Sequence, residues 1–310
     1  MKATRLPSLL SGMILCACIL LPAGCIPLPL GGEMVVIRGE EDTSSKVHLI
    51  GLSTESPGEV VVVQGIQGRI DSMIDAGGLA VIAHPSVPGF LPEAELKALS
   101  RYTGIEINSE QDLALWDALL TQRAAAGQPL LWGFMSNDSN NAPEFEAGRV
   151  MARLPHLSEE DVIASLRRGS FCWGTDTVIA DVSAAGGVIN VRLYEKGDIM
   201  FIASGGRVAG NATGRSGEYK VQGDEGYIRV EVKTASGKRA GSQPLRIEVN
   251  KGVSNPYAVE GRWYKGNLHA HTTGSSGLYP EASIIELFRK NGYSFIAITD
   301  AVAWLLPAEV

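Results

Sequence analysis

The sequence is poor in cysteine and has no excess of positive charge. The first shortage argues against disulfide bonds, and the second against binding of nucleic acid. Of its 4 cysteines, only Cys172 lies beyond residue 25, so no internal disulfide is expected in the mature protein. The formal net charge is −7 at pH 7. This balance argues against nucleic acid as the main partner, because a phosphate backbone needs a basic surface. With 45% hydrophobic and 20% charged residues, the composition is that of a globular protein.

The N-terminal apolar run is too short for an ordinary membrane span. Lys2 and Arg5 precede the apolar residues from Leu9 to Leu21, which would form a helix of about 20 Å against a hydrocarbon core of about 30 Å. We therefore expect residues 1–25 to be an export signal, and Cys16 and Cys18 to leave with it. The sequence LPAGC resembles a bacterial lipobox, which implies lipidation of Cys25 and a location in the periplasm or cell envelope. An ordinary export signal and an uncleaved anchor are the alternatives.

Residues 33–174 show an alternation of strands and helices. The segment LAVIAHP is a continuous apolar strand ended by Pro85. The segment SEEDVIASLRRG begins with a capping Ser158, has acids in its first turn and ends in arginines before Gly169, which predicts a helix. The alternation predicts parallel strands in an α/β barrel or an open sheet.

The pattern changes near Thr175. Apolar and polar residues alternate between Gly, Asn and Ser turns over residues 176–250, which predicts an antiparallel β-sandwich. The α/β pattern resumes at GRWYKGNLHAH, so residues 260–310 form a further α/β segment.

The histidines stand at the ends of predicted strands. In NLHAH, His269 and His271 are two residues apart, so on a strand both would face one side, about 6.6 Å apart. His84 ends the strand LAVIAHP, and His48 lies in the short strand VHLIGL. A hydrogen-bonded or solvated histidine is the alternative at each position. His156 precedes a helix and is interpreted as structural.

Two carboxylates have similar settings. Glu41 and Asp138 each follow a buried strand, although a loop carboxylate in water and an Asp in a turn are common. Because α/β folds collect ligands at the carboxyl ends of strands, the histidines and carboxylates together predict a metal site. Imidazole with carboxylate oxygen suits Zn, Mn or Fe.

These motifs resemble those of the PHP (polymerase and histidinol phosphatase) family of metal-dependent phosphoesterases. The resemblance covers NLHAHTTGSSG with GYSFIAITD, VIRGEEDTS with VHLIGL, GGLAVIAHP, GIEIN and GFMSNDSNN. The segment LRRGSFCWGTDTVI before a β-sandwich is similar to the tail of an exported branch of that family. The resemblance implies a distorted (β/α)7 barrel, with the sandwich between its two parts.

The order of the motifs differs from that of the family. The His-x-His motif comes first in the family and near the C-terminus here, which indicates a circular permutation: residues 260–310 would supply the start of the barrel and residues 33–174 the remainder. A homodimer formed by exchange of the C-terminal segment, or a piece of a tandem gene, are the alternatives.

The resemblance also implies two sets of metal ligands. The ligands of the first ion would be His269, His271, Glu41 and Asp138. Those of the second would be Glu41, His48 and His84, with Glu41 as the bridge. A third ion of the family would need ligands where this chain has Ser276, Ala301 and Asn140, so two divalent ions are expected.

The expected function is hydrolysis of a small-molecule phosphoester by a hydroxide shared between two ions. Glu41 and Asp138 are the expected catalytic residues, and Asp300 either orients a ligand or simply ends its strand. Contact with a membrane is expected only through the lipid anchor or the export signal. The alternatives are a degenerate barrel that binds metal or ligand without turnover, and a sandwich-based adhesion or carbohydrate-binding protein.

Overall fold

The chain forms a mixed α/β fold in which strands greatly outnumber helices. A computed structural model describes residues 34–54, 65–87, 90–139, 148–248 and 252–302. The predicted export signal with Cys25, and the predicted third-ion position Asn140, lie outside these residues. Within the described ranges, no helix combines the length and the apolar character needed to cross a membrane.

The described residues contain 17 strands and five α-helices. The strands are β1 (Val35–Asp42), β2 (Leu49–Leu52), β3 (Leu79–Ile82), β4 (Gly104–Glu106), β5 (Trp132–Phe134), β6 (Arg149–Leu154), β7 (Phe171–Gly174), β8 (Ile179–Ala185), β9 (Val188–Ala203), β10 (Arg207–Lys220), β11 (Tyr227–Thr234), β12 (Arg239–Ser242), β13 (Leu245–Glu248), β14 (Gly252–Ser254), β15 (Arg262–Asn267), β16 (Phe295–Ile298) and β17 (Ala301–Val302). The helices are α1 (Gly65–Asp75), α2 (Glu93–Ala98), α3 (Glu110–Ala125), α4 (Glu159–Arg168) and α5 (Glu281–Lys290).

Seven strands of the α/β part lie side by side in the order β15, β16, β1, β2, β3, β4, β5. β16 is parallel to both β15 and β1, and β3, β4 and β5 are parallel to one another. The prediction of parallel strands for residues 33–174 is wrong for β6 and β7, which have only antiparallel neighbours among the described strands, and for β2, which is antiparallel to β1 and β3. Only residues 43–48 join β1 to β2, and a parallel crossover needs a dozen residues or more.

The described strands do not form a closed barrel. β5 and β15, at the two ends of this row, are linked by a single bridge between Ser139 and Ala270. In this bridge the amide of Ser139 donates to the carbonyl of His269 at 3.2 Å, and the amide of His271 donates to the carbonyl of Ser139 at 3.0 Å. The bridge therefore brings the chain after β5 beside the two predicted histidine ligands.

The part predicted as a β-sandwich is antiparallel. β9 pairs with β8, β10 and β11, and β11 pairs with β12 and β13. The sheet continues across the predicted boundary near residue 175, because β12 pairs with β7 and β7 with β6. The apolar core of this part accordingly includes Met151, Cys172 and Trp263, which belong to β6, β7 and β15.

Capping side chains begin helices α3 and α4, and a glycine ends α4. Ser109 caps α3 in a capping box with Asp112, and Ser158 caps α4 by accepting a hydrogen bond from the amide of Asp161. α4 ends at Gly169, whose φ of 77° is left-handed and favours glycine. The cap at Ser158 and the stop at Gly169 confirm the sequence prediction.

Candidate metal centre

The structure brings all six predicted ligands to one end of the α/β strands. Glu41 is the second-last residue of β1 and pairs with Ile50 of β2. His48 immediately precedes β2. The other four follow the ends of β3, β5 and β15; they are His84, Asp138, His269 and His271. The rings of His84 and His269, which belong to distant parts of the chain, have centroids 6.4 Å apart. The C-terminal segment thus completes the cluster within one chain.

The inner group of the cluster consists of His269, His271, Asp138 and Glu41. The Nε2 atoms of the two histidines are 3.1 Å apart. Oδ1 of Asp138 lies 3.3 Å from each of these nitrogens. Glu41 places Oε2 at 3.4 Å from Nε2 of His271 and Oε1 at 3.8 Å from Nε2 of His269. Both histidines are therefore close to each other and to both carboxylates.

The outer group shares Glu41 with the inner one. Oε1 of Glu41 lies 2.9 Å from Nδ1 of His48 and 3.3 Å from Nε2 of His84. Oε2 of the same carboxylate faces His271. One carboxylate thus presents its two oxygens to two sets of imidazole nitrogens, as a bridging ligand must.

These separations fit a metal ion bound through nitrogen and oxygen. In a tetrahedral site with bonds of 2.0–2.1 Å, neighbouring ligand atoms are about 3.3 Å apart. Three of the four inner donors have separations of 3.1–3.3 Å, and the fourth, Glu41, lies within 3.8 Å of both histidines. The donor set is that expected for Zn, Mn or Fe. Two groups that could each hold an ion are present, Glu41 with His48 and His84, and Glu41 with His269 and His271.

Two of the candidate ligands have a costly backbone conformation. His84 has a φ of 29° and Asp138 a φ of 42°, in the region that side chains with a Cβ seldom adopt. They are two of only four such non-glycine residues among those described. Strain of this kind persists where surrounding structure fixes it, often at functional sites.

Glu106, which the sequence analysis did not single out, orients His269. It is buried in β4, and its Oε1 lies 3.0 Å from Nδ1 of His269. It also accepts hydrogen bonds from the amide of His84 at 2.9 Å and from the hydroxyl of Ser136. A proton on Nδ1 directed at Glu106 leaves Nε2 free to bind a metal. The signal in the sequence is a glutamate between two isoleucines in GIEIN.

Asp300 orients the second histidine through a serine. Oγ of Ser275 lies 3.2 Å from Nδ1 of His271 and donates to Oδ1 of Asp300 at 2.7 Å. Asp300 also accepts hydrogen bonds from the amide of Thr272 at 2.7 Å and from its hydroxyl at 2.6 Å. Of the two interpretations of Asp300, the geometry therefore favours the one in which it supports a ligand.

The electrostatics of the cluster favour a bound cation. Burial alone raises the pKa of Glu41, but the neighbouring His269 and His84 outweigh it and hold the pKa well below its ordinary value. Burial likewise raises the pKa of Asp138, but His271 and His269 together outweigh burial and lower the pKa. Burial lowers the pKa of His269, yet Glu106, Glu41 and Asp138 together outweigh burial and raise the pKa well above its ordinary value. The carboxylates thus stay ionised and stabilise positive charge where the ring nitrogens meet.

The positions of the third ion of the family hold no ligand in the described part of the chain. Ser276 is exposed in the turn after His271, and Ala301 forms part of β17. His156, interpreted as structural, lies on the surface with 87% of its side chain exposed and pairs with Asp161 at 3.3 Å.

Comparison of the whole chain with protein-family models, with curated proteins and with solved structures gave no match.

Proposed function

We propose that the chain is a metal-dependent hydrolase that uses two divalent ions to cleave phosphoesters. The observation that supports this most is the convergence of four imidazoles from distant parts of the sequence on Glu41, whose Oε1 faces His48 and His84 and whose Oε2 faces His271. Dispersed surface histidines would not share one buried carboxylate.

The proposed roles follow from burial. When bound, a pair of divalent ions would lower the pKa of a shared water and neutralise phosphoryl oxygens. Glu41, with 6% of its side chain exposed, would hold both ions in place. His48 and His84 are 32% and 24% exposed, and Asp138 is 42% exposed, so a substrate would approach from their side. His269 and His271 form the closed side of the centre.

The strand order supports a PHP-like fold with a permuted chain. β15 and β16 come last in the sequence but lie beside β1 in the order β15, β16, β1, β2, which is the order of the family's motifs. In this proposal the incompletely closed row of seven strands corresponds to the distorted barrel of that family.

Lys46 is proposed to contact the substrate phosphate. Among the described residues, the connections at the metal-binding end contain this one lysine and no arginine; they are residues 43–48, 83–87, 90–92, 107–109, 135–139, 268–280 and 299–302. Lys46 is exposed two residues before His48. Its loop is held by the buried Arg69, which donates to the hydroxyl of Ser45 at 2.6 Å and to the carboxylate of Asp42.

The test combines metal analysis with two generic substrates. The purified chain should contain about two ions and should hydrolyse p-nitrophenyl phosphate or bis(p-nitrophenyl) phosphate. His84→Ala should lose one ion and most of the activity. His156→Ala is the matched control, because it removes an imidazole far from the centre. Absence of bound metal from the purified chain after reloading with Zn, Mn and Fe would refute the proposal.

A second candidate function is metal or ligand binding without turnover. Ser276 and Ala301 stand where the family has ligands of a third ion, and this favours a reduced centre. Two bound ions with no hydrolysis of either substrate would support this candidate over the enzyme.

A further inference from the structure

A second cleft lies at the opposite end of the α/β strands from the metal centre. Its volume is about 770 Å³, and its lining includes Gly78, Thr103 and Trp132, at the starts of β3, β4 and β5. From Gly78 to His84 the chain advances about 20 Å at 3.3 Å per residue. The cleft is therefore separate from the candidate metal centre.

Among the described residues that line this cleft, four are cations and none is a carboxylate. The cations are Lys97, Arg101, Arg123 and Arg167. Two of them are neutralised at the rim, because Lys97 pairs with Glu93 and Arg101 pairs with Asp71 and Asp75.

The other two guanidinium groups bond to backbone carbonyls. Arg123 donates to Leu99 at 3.3 Å and to Pro129 at 3.4 Å, and Arg167 donates to Gly77 at 2.6 Å. Within the described ranges neither has a carboxylate partner. Each guanidinium carries five N–H donors, so both retain charge and donors for an anion.

Helix ends account for part of this arrangement. Arg123 and Arg167 lie in the last turns of α3 and α4, where positive charge is favourable. That preference explains the sign of the charge. It does not explain why the two groups meet at one cleft with an apolar and aromatic lining.

The lining supplies a surface for an apolar group. Trp132 is partly exposed there, with its indole N–H donating to the carbonyl of Arg167 at 3.1 Å. Tyr102 lies beneath Arg123, whose guanidinium carbon is 4.9 Å from the ring centroid. Leu99 and Leu130 also line the cleft.

The backbone at the rim is strained as it is at the metal centre. Arg101 has a φ of 65°, in the left-handed region. Together with His84 and Asp138 it accounts for three of the four non-glycine residues with positive φ in the described part. Strain that a fold retains is a reason to look for function.

We propose that this cleft binds a small organic anion whose phosphate or carboxylate group pairs with Arg123 and Arg167 and whose aromatic part lies on Trp132. Guanidinium groups bind such anions through paired N–H donors and stack on planar groups. The volume is within the range of small-molecule sites. The proposal does not depend on the function of the metal centre.

The test uses phenylphosphonate, a non-hydrolysable probe with both an anionic and an aromatic part. Calorimetric titration of the full chain should show binding with metals present and after treatment with a chelator. Arg123→Ala and Arg167→Ala should each weaken binding at least about tenfold, by analogy with other charged hydrogen bonds. Arg215→Ala, which removes an exposed arginine on β10, should leave the affinity unchanged.

Additional variants and ligands show where the probe binds, and they allow a conclusion even if an alanine variant folds poorly. Arg123→Lys and Arg167→Lys retain charge but not the planar fork, and should weaken binding less than alanine does. A change of tryptophan fluorescence that is lost in Trp132→Phe would place the probe in the cleft. Inorganic phosphate and benzyl alcohol should each bind more weakly than phenylphosphonate.

Two results would overturn the proposal. Binding that disappears on chelation and is unaffected by the arginine variants would place the probe at the metal centre. No binding of phenylphosphonate to the folded chain would exclude this class of ligand from the cleft.

Discussion

Oε1 of Glu106 lies 3.0 Å from Nδ1 of His269, on the side of the ring away from the other candidate ligands. Both side chains are fully buried. A buried carboxylate fixes the ring orientation and the tautomer, so that Nε2 faces Glu41, Asp138 and His271. The metal centre therefore depends on a residue that contributes no ligand atom to it.

Glu106→Gln should weaken metal binding by about 10–100-fold, as is usual when a carboxylate behind a ligating histidine is lost. Competition with a chromogenic chelator measures the affinity of the folded variant. Glu160→Gln on the exposed face of α4 is the control and should bind as the parent does. An unchanged affinity in Glu106→Gln would mean that Glu106 does not position His269.

Lys46→Ala should raise KM for a phosphodiester by about tenfold with a smaller change in kcat, because an exposed cation that contacts the phosphate contributes mainly to binding. The effect should shrink at high salt, since an exposed charge is screened. Steady-state kinetics at two ionic strengths measure both. Lys220→Ala on β10 is the control, and equal kinetics for both variants would remove Lys46 from the substrate site.

The strands and helices were predictable where the local pattern specified them. Ser109 and Ser158 begin helices because their side chains cap the first turn, and β3 is an uninterrupted apolar run. Strand direction was not predictable in the same way: β2 has the composition of its neighbours, and only the short connection before it requires antiparallel pairing. β6 was missed, since Arg149 and Arg153 interrupt its apolar residues.

The candidate ligands were predictable because each stands beside an apolar strand end, and their convergence required the pairing of β1 with β16. The supporting residues were harder to identify. Glu106 is the last residue of the short β4 and lies far from His269 in the sequence, and Ser275 follows His271 closely but stands in a turn without a pattern of its own. Their roles follow from contacts between segments that lie far apart in the chain, such as the 3.0 Å contact of Glu106 with His269.

Asp117→Ala should destabilise the chain by about 1.5–3 kcal/mol, the range for hydrogen bonds to a charged group, because the buried Arg229 then keeps only Glu231 as a carboxylate partner. Asp117 on α3 accepts two hydrogen bonds from Arg229 on β11, at 2.8 and 2.6 Å, and one from Tyr227 at 2.7 Å. Urea unfolding of the parent and variant gives the difference. The double variant Asp117→Leu with Arg229→Met should lose less, since the buried guanidinium is removed and the carboxylate left behind, Glu231, is partly exposed to water. A loss below about 1 kcal/mol in Asp117→Ala would show that this pair does not hold α3 to the antiparallel part.

Glu225→Gln should destabilise the chain at neutral pH but not in acid. The buried Glu225 accepts hydrogen bonds from the amides of Gln222 at 2.6 Å and Gly223 at 2.8 Å, and from the hydroxyl of Tyr219 at 2.8 Å. Burial raises the pKa of Glu225, but these bonds outweigh burial and hold the pKa below its ordinary value.

The sign of the pH dependence follows from that shift. A carboxyl whose pKa is lower in the folded than in the unfolded chain adds stability at pH values above the unfolded pKa of about 4.3, and this stability is lost as the pH falls through the folded value. The difference in unfolding free energy between parent and Glu225→Gln should therefore be about 1.5–3 kcal/mol near pH 7, the range for hydrogen bonds to a charged group. It should decline below pH 4. Glu218→Gln, at an exposed position, is the control and should leave the unfolding free energy unchanged. If the loss of unfolding free energy in Glu225→Gln stays constant from pH 7 to pH 3, the charge of Glu225 does not stabilise the turn between β10 and β11.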